Sequence, residues 1–280
     1  APGGRTSTAP DSMAPYVSTG DNRMTDTLPD LDEWRTRCRT FLQEHATGVG
    51  RVRQEDRGAS LMASAKKFQK ALADAGLAGI TYPKEFGGQG LPRDYDRVWR
   101  EEYANFPDMT SELTISHGMC LPVMNDFGTS EQKAQFLAKN ISGEEVWCQM
   151  FSEPGAGSDL AGLRTRAVRD GDGWRISGRK VWTSLAHVAD FGILLARTDP
   201  SLPKHRGLTM FIVDLRLPGV AVRPIRQANG ASGFNEISLD DVRIDDASRL
   251  GEVNRGWDVA LTTLMGERLD LGLRMGGAGR

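Results

Sequence analysis

The chain has 280 residues, 39% of them apolar and 26% charged, with a formal net charge of −2. That length allows two domains with real cores or one large one, and the near-neutral balance gives no electrostatic case for nucleic acid or an anionic membrane as partner. Three widely separated cysteines (Cys38, Cys120, Cys148) with no CxxC argue against a disulfide framework and for a reducing, cytoplasmic setting; no apolar run approaches the ~18 residues of a membrane span.

Residues 1–29 are rich in Ala, Pro, Ser, Thr, Gly and Asp and read as a disordered tail, too polar to offset its own ordering entropy. Residues 30–145 carry helical patterning. Leu31, Trp34, Cys38, Phe41 and Leu42 make one stripe; Leu61, Ala65, Phe68, Leu72 and Ala75 make another, with Gly76 as its stop. After the Pro/Gly-rich connection TYPKEFGGQGLP (81–92), helix resumes from Tyr95 to Phe106, where Glu101-Glu102 reads as a solvated face. Ile115 to Met124 reads as a buried helix, and Thr129-Ser-Glu-Gln132 as a capping box opening a helix to Lys139.

From 146 to 250 the period changes to two. Seven short β-like runs are separated by Gly, Pro, Asp and Asn turns, and DGDG (170–173) has hairpin chemistry. Trp257, Leu261, Leu264, Arg268 and Leu271 then return to helical spacing within 251–280. The expected fold class is α+β: a helical N-terminal domain, then an antiparallel β-barrel or sandwich, then the start of another helical segment. Helices and strands fall in separate blocks, which excludes a Rossmann sheet. The four histidines show no metal-ligand spacing, so no metal is expected.

The stretch with the densest turn chemistry is MFSEPGAGSDLAG (150–162). A dinucleotide fingerprint fails because Leu160 takes the third glycine position and no helix follows. A phosphate-binding Gly-Lys-Ser/Thr ending is absent, and so is a flanked nucleophilic serine. Two readings stay open: a Gly-rich hairpin turn, or a turn whose backbone N–H groups, with Ser152 and Ser158, hold a planar polar ligand or an anion.

The same stretch resembles the flavin-binding signature of the acyl-CoA dehydrogenase family. TYPKEFGGQGL, FGTSEQKAQFLAKNISGEE, GRKVWTS and FNEISLDDVRI resemble that family's other blocks, in its order and spacing, over roughly residues 30 to 275. The resemblance implies a helical N-terminal domain, a β middle domain binding FAD and acyl-CoA, and a C-terminal four-helix domain of which this chain holds only the first helix. It implies that Ser152, with Gln149 and Phe151 on the same strand, binds the flavin's pyrimidine edge. It implies also that Trp182 packs against the isoalloxazine, that Ser184 bonds near N5 and that Ser158 meets the CoA portion. For the catalytic base it points to Glu267, in the sequence Glu267-Arg268-Leu269, with Arg268 lining the site; the alternative is a carboxylate in the part of the family's chain absent here. Without the resemblance, Ser152 is a strand-end cap, Trp182 a core aromatic, Ser158 a turn hydroxyl and Glu267 an interface ion-pair partner. The implied activity is FAD-dependent α,β-dehydrogenation of an acyl-CoA thioester, with electron-transfer flavoprotein as acceptor and a homo- or hetero-oligomer as assembly. The alternatives are a non-catalytic subunit packed on a full-length paralogue, and an oxidase or monooxygenase of the same fold.

Overall fold

A computed structural model describes residues 28–48 and 57–264 of the chain, with side chains from 60 onward in the second segment. The tail expected over 1–29 falls outside it except for its last two residues, and Glu267 and Arg268 lie outside the described residues altogether.

Helices come first: α1 (Leu31–His45), α2 (Arg57–Asp74), α3 (Arg93–Tyr103), α4 (Leu121–Phe127) and α5 (Ser130–Ile141). Local signals account for their ends. Asp30 caps α1 by accepting from the Asp32 and Glu33 amides. Gly76, at φ +66, ends α2 in a Schellman arrangement in which the Leu77 amide donates to the Leu72 carbonyl and the Gly76 amide to that of Ala73. The Thr129–Gln132 capping box forms as expected. The Gln132 side-chain Nε2 also donates to the carbonyls of Ala247 and Arg249, tying α5 to the β region. Between Ser116 and Cys120 the chain makes a π-helical turn, a wider i→i+5 geometry that the helical period does not reveal. Glu102 corrects the solvated reading of α3: it is buried and held by Arg35 and Arg39 of α1.

Eight strands follow: β1 (Trp147–Met150), β2 (Arg166–Asp170), β3 (Gly173–Ser184), β4 (Phe191–Arg197), β5 (Leu208–Asp214), β6 (Val220–Ile225), β7 (Phe234–Asp245) and β8 (Arg249–Leu250). They form one sheet in the order β6-β7-β3-β2-β4-β5-β8, with β1 also on β4. The α+β class and the helix-then-sheet order hold. The sheet is mixed, however, because β1 and β2 run parallel to β4, and it does not close. Period-two patterning says which face a residue occupies and nothing about which strand lies beside it, so pairing direction was not readable.

The burial pattern shows how the sheet folds over. Ile193, Leu195, Met210 and Ile212 join the core of the helices, with Trp34, Phe41, Leu42 and Leu137. Their neighbours Leu194, Ala196, Phe211 and Val213 face a second core with Trp174, Ile176, Ile237 and Val242 from β3 and β7. Strands β4 and β5 are therefore buried on both faces, which is why they read as continuous apolar runs. Phe211 is fully buried and packs edge-on against Trp174 at 5.3 Å. Phe211→Ala is expected to cost about 3–5 kcal/mol in urea unfolding, from lost transfer energy plus the cavity left behind. A loss under 1 kcal/mol would contradict this packing.

Strand β1 is pinned between the two regions. The buried Ser116 hydroxyl accepts from the Trp147 amide and from the Asn140 side chain, both at 3.0 Å. A final helix, α6, runs over 256–264 in the described part. No described helix is long and apolar enough to cross a membrane, and no group of three or more His, Cys, Asp and Glu among the described residues could hold a metal ion.

Candidate functional site

The end of β1, the loop after it and the end of β3 meet at one cavity of about 550 Å³. Gln149, Phe151, Ser152, Ser158, Trp182 and Ser184 all line it, so every site residue expected from the sequence within the described range falls in one place. The two segments converge because the Val181 amide donates to the Ser152 carbonyl at 2.9 Å, joining β3 to the strand end. An open groove of similar volume beside Arg164, Arg166 and Arg197 gathers none of these residues.

Trp182 sits in a way that sequence alone did not give. The β3–β7 register shifts between Lys180 and Thr183, so Val181 and Trp182 together face the single residue Glu236. At this bulge Trp182 takes φ +62, in the left-handed region, and its side chain turns out of the sheet to 59% exposure. A left-handed backbone at a bulky residue costs roughly 1–2 kcal/mol, and an exposed indole recovers none of that by burial. A core role is therefore excluded. Phe234 supports the ring edge-on at 6.1 Å, and Leu185, at φ +57, repeats the left-handed geometry three residues on.

The polar groups here are available. Among the described residues, no hydrogen bond engages the side chains of Gln149, Ser152, Ser158 or Ser184. Ser152 is thus not a side-chain cap of its own turn. Gly155 and Gly157 do not have positive φ, and a Cβ at either would meet nothing within 4 Å. Of the two, Gly157 lines the cavity, and the space beside it leaves its backbone open to a ligand. The remaining wall is apolar: Ile115, Leu160, Val181 and Phe234, with Trp257, Leu261 and Leu264 from the stripe of α6. An exposed aromatic face, unused hydroxyls and amide, and an apolar wall fit a planar heteroaromatic group with one polar edge.

Two residues that sequence reasoning passed over lie directly behind the cavity. Lys180 is fully buried, and its ammonium donates to the Phe151 carbonyl, the Leu195 carbonyl and Glu153 Oε1, each at 2.9 Å. Glu153 also accepts from the Arg164 and Thr165 amides at 2.7 and 2.9 Å. Burial pushes the Lys180 pKa down to about 8 against the attraction of Glu153. Burial works against the Glu153 carboxylate too, but Lys180 and the two amides outweigh it and hold its pKa below the ordinary 4.5. A depressed carboxyl pKa gives stability that is full above the unfolded value and is lost as pH falls through the folded one. Stability is therefore expected to drop as pH goes below about 4.5, and Glu153→Gln should flatten that slope in acid melts. An unchanged slope would show that other carboxylates carry it.

Comparison with known proteins follows the same outline. The profile of the acyl-CoA dehydrogenase N-terminal domain matches residues 29–144, and that of the acyl-CoA dehydrogenase middle domain matches residues 148–242. The chain belongs to the acyl-CoA dehydrogenase family. Acyl-CoA dehydrogenase FadE34 of Mycobacterium tuberculosis is 46% identical over 204 residues, covering 73% of this chain and 28% of that protein. The Tcur3481–Tcur3483 steroid ACAD has 32% identity and a TM-score of 0.67, over 85% of this chain and 61% of that one. The ChsE4–ChsE5 complex from Mycobacterium tuberculosis has 31% identity and a TM-score of 0.69, over 87% and 61%. The chain spans between 28% and 64% of the length of the curated acyl-CoA dehydrogenases it matches first.

Proposed function

We propose that this chain forms the flavin- and thioester-binding part of an FAD-dependent acyl-CoA dehydrogenase. Its reaction is α,β-desaturation of an acyl-CoA thioester. The observation that carries this reading is the convergence of Ser152, Ser158, Trp182 and Ser184 on one cavity, with Trp182 turned out of its sheet toward open space. We assign residues 30–145 to the helical domain, 146–250 to the β middle domain and 251–280 to the start of a C-terminal helical domain, after a tail over 1–29.

FAD, when bound, would supply a hydride acceptor at its N5. Trp182 offers an aromatic face for the isoalloxazine, and Ser152, beside Gln149 and Phe151, offers a hydroxyl and backbone to its polar edge. Ser184 donates from the opposite segment, where charge builds up as the ring is reduced. Ser158 lies at the exposed lip of the cavity and takes the CoA portion. Glu267 follows the cavity-lining Leu261 and Leu264 at the same three-residue sequence spacing and takes the α-proton, with Arg268 beside it. A general base for this step needs a dry site, and the described wall around Leu261 and Leu264 is apolar. Electron-transfer flavoprotein is the acceptor that this reading implies.

A second reading draws on the similarity to the ChsE4–ChsE5 complex: the chain works as one component of a two-chain assembly. Anaerobic bleaching separates the readings. The purified chain with FAD is mixed with butyryl-, isovaleryl- and steroid-derived acyl-CoA, the last chosen because a similar structure is a steroid ACAD. Loss of the flavin band with any thioester supports the dehydrogenase reading. Bleaching only after a second chain is added supports the assembly, and peroxide formed without an added acceptor points to an oxidase.

A further inference from the structure

We propose that the buried Lys180–Glu153 pair is the positioning device of this cavity, locking the Ser152 strand end to the Trp182 bulge. The inference rests on the functional reading above for its ligand, but its geometry is independent of any ligand. One ammonium ties three segments together: the end of β1 through the Phe151 carbonyl, the middle of β4 through the Leu195 carbonyl, and the loop through Glu153. The Glu153 carboxylate adds a fourth, the chain entering β2, through the Arg164 and Thr165 amides.

The anchored positions bracket the site. Phe151 and Glu153 flank Ser152, and Lys180 immediately precedes Val181 and Trp182. The bulge begins at Lys180, where the β3–β7 register breaks. A strand released there could slip to regular pairing, which would return Trp182 to the sheet and draw Ser184 away from Ser152. The Val181 amide donates to the Ser152 carbonyl across this seam, and the Lys180 ammonium holds the Phe151 carbonyl next to it.

Stability alone is a poor reason for such a pair, since well-packed apolar residues usually replace a buried ion pair at no net loss. Geometry is the better one: an ammonium with three acceptors in fixed directions defines distances that apolar contacts leave loose. Lys180 and Glu153 are thus positioning residues that act through the backbone of the residues lining the cavity.

The test removes both charges together, so that neither is left buried without its partner. In Lys180→Met/Glu153→Gln, the carboxamide oxygen keeps one of the two backbone contacts, since Arg164 donates to Glu153 Oε2 and Thr165 to Oε1. Hydrogen exchange and FAD binding are then measured on the full chain. The proposal expects the β4–β5 ladder amides and the melting temperature to stay near wild type. The Val181 amide should exchange about ten-fold faster or more, and FAD affinity should fall about ten-fold or more. Wild-type protection at Val181 overturns the proposal, and so does wild-type FAD affinity with Val181 exposed. If the double variant does not fold, Glu153→Gln alone serves, with the same two readouts and a smaller change expected. A wild-type chain that takes up no FAD sinks the functional reading, while the Val181 measurement still decides the role of the pair.

Discussion

Trp182→Ala is expected to lower the affinity of the chain for FAD by about ten-fold or more while moving its melting temperature by only a few degrees. The two effects separate because the indole is 59% exposed. It contributes little burial to the folded state, so its loss opens no cavity and strands no polar group. What the substitution removes is the aromatic face beside Ser152 and Ser184, with the edge support of Phe234 left in place. FAD fluorescence titration and a thermal melt on the same samples check both halves. A variant that unfolds would place Trp182 in the core; one that binds FAD as wild type would place the isoalloxazine elsewhere.

Glu267→Gln is expected to abolish anaerobic bleaching by acyl-CoA, slowing it by about 10²–10⁴-fold, the range for removing a general base, while FAD stays bound. The amide keeps the size of the side chain and cannot take the α-proton. Trp257, Leu261 and Leu264 line the cavity, and in the sequence the spacing they begin reaches Glu267 and Arg268 next. Rapid mixing with substrate measures the flavin band directly. Bleaching at the wild-type rate would move the base to another carboxylate, and lost FAD binding would make Glu267 structural.

What could be read from the sequence follows the range of the interactions involved. The Gly76 stop and the Thr129 capping box depend on residues within about five positions and form as their local chemistry dictates; the α1 stripe is buried from Trp34 to Leu42, while Leu31 at its start is exposed. The parallel pairing of β1 with β4 joins residues more than forty apart and leaves no mark on either strand's alternation. Glu102 looked solvated because its partners, Arg35 and Arg39, lie on another helix. The site divides the same way. Motif resemblance brought six residues to one cavity, but the bulge that exposes Trp182 lies in the pairing with β7 and has no local signal. Lys180 did leave a trace, since it continues the inward positions of Trp174, Ile176 and Gly178 along β3. A charge at an inward position calls for a partner, and that partner, Glu153, lies 27 residues away in the loop.

The central claim is that the cavity bounded by Ser152, Trp182 and Ser184 holds a flavin. The most direct measurement is the absorbance spectrum of the purified chain after equilibration with excess FAD and gel filtration. The account predicts that a flavin band travels with the protein, and that much less does so with Trp182→Ala. A wild-type chain that emerges colourless, or a variant that carries as much flavin as the wild type, would contradict it.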